Sequence, residues 1–151
     1  MATPTPIRTQ SPMGRHGSCR FHVRWSQAES DDLLNAVVLD LDDLSDTMTD
    51  GVAQKTKHRY AITSVEWVSS VNVSADLEFN SMPPNDTSHI MSIPTDATSG
   101  TVSFANFPSG CISEPNPLSP SDVVLTTRGA LPYDQMSIIV HYKEKGHTLA
   151  Q

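Results

Sequence analysis

Few features of this sequence point directly to a function. Only 6% of its 151 residues are aromatic, and it contains just two cysteines and two tryptophans. No stretch comes near the roughly 18 consecutive apolar residues of a membrane-spanning helix, so we expect no membrane partner. No apolar segment follows the first arginines, and we therefore expect no secretory signal peptide. A length of about 150 residues is typical of one domain with its own hydrophobic core.

The two cysteines indicate neither a disulfide framework nor a metal site. Cys19 and Cys111 are far apart in the sequence, and neither has a CxxC partner or a histidine at zinc-finger distance. We expect two reduced thiols, each buried or half-buried as a small apolar side chain.

Motifs of enzyme chemistry are missing as well. The sequence has no G-x-S-x-G or S-x-x-K nucleophile motif, no HExxH metal motif and no glycine-rich phosphate loop. Its six histidines are dispersed, although a triad built from distant strands would leave no local motif. We expect no catalytic residue, no cofactor and no enzymatic activity, so that the function is one of binding.

Charge is distributed very unevenly along the chain. Residues 1–25 contain four arginines and no acidic residue, whereas residues 26–50 contain eight acidic residues and no lysine or arginine. The remaining residues are close to neutral, and the formal net charge of the chain is -7. Nucleic-acid backbones require a dense basic surface, so we expect no nucleic-acid partner.

The acidic segment is the best candidate for a metal site. Asp40, Asp42 and Asp46 are weak candidate ligands, since carboxylates are the oxygen donors that calcium prefers. The EF-hand pattern fails, however, because Leu44 or Met48 would occupy its third position. We therefore expect no metal ion and interpret the segment as a solvated or partner-facing surface.

Residues 1–18 predict a flexible, basic N-terminal arm. They include three prolines and two glycines, show no periodic apolar pattern, and could bury little surface to offset the entropy of ordering. Such an arm either frays or docks on a partner. We therefore predict two units, the arm at 1–18 and one β-sandwich domain at 19–151.

From Cys19 onward the apolar residues alternate with polar ones. This period of two predicts short strands near residues 19–26, 60–69, 71–79, 88–93, 101–107, 122–127 and 136–143, with a bend at Ser69-Ser70. Residues 31–46 are ambiguous between a helix and a strand at 35–41, and the alternation on both sides favours the strand. Seven or eight short strands with regular turn signals predict an all-β fold, an antiparallel β-sandwich of jelly-roll type.

The C-terminal half contains a characteristic succession of strand sequences. In order these are VSADLEFN (Val73 to Asn80), HIMSIP (His89 to Pro94), GTVSF (Gly100 to Phe104), GCISEP (Gly110 to Pro115), SDVVLTTRG (Ser121 to Gly129) and MSIIVHYKEK (Met136 to Lys145). With Val23-Arg24-Trp25, Leu39 to Asp42 and Val65-Glu66-Trp67, this succession resembles a group of small virion structural proteins of tailed bacteriophages. The resemblance covers roughly residues 19–145 and depends on order and spacing.

The resemblance implies a non-enzymatic head decoration (cement) protein on the capsid surface of a phage particle. Its implied partners are the major capsid protein and neighbouring copies of itself, arranged as a homotrimer. We expect Arg8 and Arg15 of the arm to bind acidic surfaces, and Asp40, Asp42 and Asp43 to present the opposite charge. Deleting residues 1–18 is then expected to weaken particle binding without unfolding the domain.

The sequence departs from the group in two places, and two other functions stay open. Pro132-Tyr133-Asp134 stands where the group has a Gly-Asp turn, so the final hairpin is expected to differ in shape, and the basic arm is an addition. A tail or baseplate component is one alternative. A glycan- or receptor-binding β-sandwich is the other, although both tryptophans fall on strand faces expected to be buried.

Overall fold

Ten β-strands make up the regular structure of the residues that the computed structural model describes, namely 3–10, 16–40, 56–80, 88–108, 110–113 and 122–149. The strands are β1 (Ile7–Gln10), β2 (His16–Arg24), β3 (Ala36–Leu39), β4 (Thr56–Ser69), β5 (Ser74–Asn80), β6 (Ser88–Ile93), β7 (Ser99–Ser103), β8 (Ile112–Ser113), β9 (Asp122–Arg128) and β10 (Gln135–Leu149). No helix occurs among these residues.

The strands form two antiparallel sheets that face each other. The large sheet has the order β1-β2-β10-β4-β7, with β8 also paired to β4, and the small sheet has the order β3-β9-β5-β6. Alternate residues of β2, β5 and β10 point into the space between the sheets, and the largest fully buried side chains there include Phe21, Phe79 and Ile138. The predicted all-β sandwich is confirmed.

The structure resolves the ambiguous segment after Asn35 and the predicted bend at Ser69-Ser70. The apolar segment after Asn35 forms strand β3, which pairs with β9, so the strand interpretation is confirmed over the helix. The predicted bend at Ser69-Ser70 separates β4 from β5. Both cysteines are buried thiols.

The described part of residues 1–18, namely 3–10 and 16–18, includes paired strand residues where the sequence predicts a flexible arm. Strand β1 pairs with β2 from Ile7↔His22 to Gln10↔Cys19, and β2 itself begins at His16. Pro4 is buried, and Thr3 Oγ1 lies 3.4 Å from Asp31 Oδ2. The arm carries no apolar pattern because β1 is a sheet edge held by backbone hydrogen bonds, with Ile7 66% exposed.

Strands β4 and β10 continue well past the sandwich. Their pairing runs from Met136↔Ser69 to Leu149↔Thr56. Among the described residues, β2 pairs with β10 only as far as Lys143, and β8 pairs with β4 only from Ala61. Residues 56–60 and 144–149 therefore pair only with each other, as a two-stranded ribbon. Alternation analysis missed this extension because few of its residues are apolar.

Candidate binding surfaces

The structure describes only two of the predicted partner-binding residues. Arg8 lies on the edge strand β1 with an exposed side chain, and Asp40 directly follows β3 with a half-buried one. Arg15, Asp42, Asp43 and Asp46 lie outside the described residues. The arm-to-acid contact between copies therefore stays a prediction.

Three exposed apolar side chains lie on two loops at one end of the sandwich. Val71 follows β4 and is 54% exposed, while Leu131 and Tyr133 precede β10 and are 52% and 62% exposed. These three residues are called the tip cluster below. Asn72 Nδ2 donates to Asp134 Oδ2 at 3.3 Å, so the two loops contact each other directly.

The loop before β10 is a tight turn with a tyrosine in an unusual position. Asp134 N donates to Leu131 O at 3.1 Å, which closes a four-residue turn with Pro132 in its second position. Tyr133 has a φ of 70°, so the turn is of type II, in which the third position normally holds glycine. The sequence predicts an altered final hairpin here, and this is wrong because β9 and β10 belong to different sheets and the turn connects the two sheets. The structure has a glycine-like backbone there and a tyrosine side chain.

Asp134 holds this turn in place. Its carboxylate accepts a hydrogen bond from Leu131 N at 2.9 Å, and its backbone carbonyl accepts one from Trp25 N at 2.8 Å. Asp134 is only 8% exposed although the turn lies at the surface. Because its polar atoms are hydrogen-bonded, the buried carboxylate fixes the loop rather than destabilising it.

Asp32 fixes the chain segment that directly precedes this turn. Asp32 accepts hydrogen bonds from Ala130 N at 3.0 Å and from Gly129 N at 3.2 Å. Gly129 has a φ of 81°, and a Cβ there would lie 2.8 Å from Asn72 O, so only glycine fits. The backbone beside the tip cluster is therefore fixed by hydrogen bonds and by close packing.

An open groove runs along the face of the large sheet that points away from the core. It has a volume of about 460 Å³ and is lined by Glu66, Trp67, Val68, Ser99, Gly100, Thr101, Ser137 and Ile139. Trp67 lies across β7 because Gly100 has no side chain, since a Cβ there would be 2.6 Å from the indole. The indole Nε1 donates to Ala97 O at 2.9 Å.

Two histidines make polar contacts on the same face. His141 Nε2 lies 3.0 Å from Glu66 Oε2, and His22 Nδ1 lies 2.6 Å from Ser137 Oγ. A serine-histidine pair acts as a nucleophile when a third group orients the histidine. Among the described residues, no carboxylate bonds to the other ring nitrogen of His22. This face therefore offers hydrogen-bonding groups without an assembled triad.

The pKa values of Asp76 and Cys19 are shifted in opposite directions. The hydrogen bond from Ser92 Oγ and then the ion pair with Arg128 lower the pKa of the Asp76 carboxyl. Burial raises the pKa of the Cys19 thiol to about 11, against a smaller opposing effect of Arg8. The Cys19 thiol donates to Val38 O at 2.7 Å and links the two sheets.

The described residues contain neither a metal-ligand cluster nor a membrane-spanning helix. No group of three or more His, Cys, Asp or Glu side chains there could hold a metal ion. In the same residues, no helix is long and apolar enough to cross a membrane.

Comparison with known proteins gave few matches. No family model and no curated protein matches the sequence. Solved structures of family 29 carbohydrate-binding modules are similar in arrangement. An aspartate-to-alanine mutant has 8% identity and a TM-score of 0.35 over 93% of this chain and 66% of its own. A glutamate-to-arginine mutant has 7% identity and a TM-score of 0.35 over 95% and 80%. These values are too low to support an argument about function.

Sequence reasoning missed the tip cluster and the groove. The signal for the tip cluster was present in Leu131-Pro132-Tyr133-Asp134, since proline followed by a residue other than glycine or asparagine makes a type II turn strained. The groove left no signal because its side chains come from three strands that only the fold brings together.

Proposed function

We propose that this chain is a non-enzymatic virion structural protein that decorates the capsid shell of a tailed phage and docks through its tip cluster. The tip cluster carries the proposal. It presents three apolar side chains to solvent on loops that hydrogen bonds already hold in one conformation. Exposed apolar groups of this kind are typical of protein-protein contacts.

The energetics of association favour such a surface. A protein that binds through pre-formed loops loses little conformational entropy on docking. Tyrosine is enriched among the residues that contribute most to interfaces, because it buries a large area with few rotatable bonds. Tyr133 projects from a turn whose backbone is held by Asp134 and Trp25. The backbone strain at Tyr133 supports a role for its side chain outside the fold, because burial inside the domain does not compensate that strain.

The proposed partners are the major capsid protein and neighbouring copies of this chain in a homotrimer. Contacts repeated over a symmetric shell need not be strong individually, since binding only the assembled state stabilises it by mass action.

Copy number tests this function. The purified chain is incubated with expanded, DNA-free heads of the phage that encodes it, and the copies bound per shell are counted after sedimentation. Decoration requires saturation at a symmetry-related number in the hundreds. A few copies in intact virions and none on heads would instead identify a tail or baseplate component and overturn the decoration role.

A glycan-binding function is the second candidate, and the groove on the large sheet favours it. Glu66, Ser99, Thr101 and Ser137 offer hydrogen-bonding groups beside the aliphatic side chain of Ile139. A saccharide combines hydroxyl groups with an apolar C–H face and would use both kinds of contact.

Glu66→Gln tests the glycan candidate. The change keeps the size of the side chain but removes the charge that strengthens its hydrogen bonds, so affinity for a glycan should fall by roughly ten-fold. Glu78→Gln on β5 of the other sheet is the matched control and should bind as the parent does. The measurement is binding to an oligosaccharide array, and the absence of any bound glycan with the parent chain would rule the candidate out.

A further inference from the structure

The ribbon formed by residues 56–60 and 144–149 concentrates positive charge in an acidic chain. With Lys143, which precedes it on β10, it contains Lys57, Arg59 and Lys145, against the single acidic residue Glu144. Four basic residues and one acidic residue give this region a net charge of +3. The total for the chain is -7, so the rest of the chain carries -10. The remaining lysine, Lys55, directly precedes the ribbon in sequence.

Across the ladder, three of these basic residues are paired with uncharged residues. Thr148 is the cross-strand partner of Lys57, Gly146 that of Arg59, and Ala61 that of Lys143. Opposite charges directly across a ladder stabilise the pairing of its strands. None of these basic positions is directly opposite an acidic one. The ribbon therefore keeps the excess of basic over acidic residues that its sequence gives it.

Ribbon and tip cluster lie at opposite ends of the β4–β10 ladder. The β4–β10 ladder separates Ser69, next to the tip loops, from Thr56 by 13 residues. At about 3.3 Å per residue this distance is roughly 40 Å. The ribbon and the tip cluster are therefore two separate surfaces along one ladder.

We propose that this ribbon is an electrostatic docking element for an acidic polypeptide surface. The ribbon has too few positive charges to bind a nucleic-acid backbone, because the strongly acidic rest of the molecule repels the phosphates. A polypeptide presents separate carboxylates, and a few basic residues spaced along a strand can pair with them. The acidic remainder of this chain then need not come close to the other acidic groups of the partner. This inference goes beyond the proposed decoration role and does not depend on it.

A short labelled polyglutamate peptide is the probe, with binding to the full chain measured by fluorescence anisotropy. The parent chain should bind the peptide at low salt and lose most of its affinity at about 0.15 M ionic strength, where charges are screened beyond about 8 Å. The double variant Lys57→Glu/Lys145→Glu should bind roughly ten-fold more weakly or not at all.

Arg20→Glu/Arg24→Glu is the matched control. It changes the net charge by the same amount at exposed positions of β2 outside the ribbon, and it should keep most of the affinity for the peptide. An equal loss of peptide affinity in both variants would show that net charge alone explains the effect and would overturn the proposal. Absence of peptide binding by the parent chain would overturn it as well. A short DNA duplex is the second probe. Duplex binding as tight as peptide binding, and lost in the ribbon variant, would overturn the choice of a polypeptide partner.

Thermal unfolding of both variants separates lost binding from lost folding. If Lys57→Glu/Lys145→Glu unfolds at the assay temperature, Lys57→Gln/Lys145→Gln replaces it. This milder variant should still lose affinity relative to the parent, and unchanged affinity would overturn the proposal.

Discussion

Tyr133 combines a strained backbone with an exposed side chain. A residue other than glycine or asparagine in the left-handed region costs about 1 kcal/mol or more. Burial of the ring offsets little of this cost, because the residue is 62% exposed. Glycine or asparagine at this position would relieve the backbone strain and stabilise the fold. We therefore assign the tyrosine to the interaction surface.

Tyr133→Asn should leave the free energy of unfolding unchanged or raise it by up to about 1 kcal/mol, because asparagine tolerates a positive φ. Tyr133→Val is the control, since a β-branched residue is more strained there, and it should lower stability by about 1–2 kcal/mol. Urea unfolding measures both. A Tyr133→Asn variant less stable than the parent by more than 1 kcal/mol would show that the ring contributes to the fold after all.

Cys19 makes stability depend on pH in the alkaline range. Its pKa is raised from 9.0 to about 11 in the folded state because burial disfavours the thiolate. The folded state therefore holds the proton more tightly than the unfolded state. This contribution to stability is complete below pH 9.0 and is lost as the pH rises through about 11.

The stability difference between the parent and Cys19→Ala should accordingly shrink as the pH is raised from neutral into that range. Urea unfolding under reducing conditions at several pH values measures it. Parallel pH profiles for the two proteins would contradict the assignment.

At the scale of elements, alternation predicted those strands that have one buried face. Val73, Ala75, Leu77 and Phe79 are all buried in or beside β5, as their spacing of two predicted. The same criterion could not find β1 or the ribbon, because these segments are held by backbone pairing at an edge or beyond the core. The sequence pattern reports burial and not hydrogen bonding, so strands without a buried face leave no trace in it.

Removing residues 1–10 tests the corrected account of the N-terminal segment. The deletion removes β1 and the buried Pro4 and exposes the edge of β2. It should lower the free energy of unfolding by about 1–3 kcal/mol while leaving a folded domain, since the core lies in the remaining strands. Thermal unfolding monitored by circular dichroism measures the loss. Unchanged stability would mean that the segment does not pack on the domain in solution.

At the scale of the whole molecule, the tip cluster and the ribbon lie at the two ends of the β4–β10 ladder. The tip cluster is apolar and fixed by Asp32 and Asp134, whereas the ribbon is basic and extends beyond the core. The sequence predicts the β-sandwich, which the structure confirms, and the binding function stays a prediction. The sequence could not place the loop of Val71 next to the loop of Leu131 and Tyr133, because that proximity depends on loops separated by about sixty residues that only the sheet pairing brings together.

One comparison tests the central claim most directly, namely co-sedimentation of the parent chain and of Tyr133→Asn with expanded phage heads. Phe107→Asn is the control, since Phe107 is a 49% exposed aromatic residue outside the tip cluster. The account predicts saturating binding by the parent and by Phe107→Asn, and binding at least roughly ten-fold weaker for a folded Tyr133→Asn. Equal binding by all three proteins, or no binding by the parent, would contradict it.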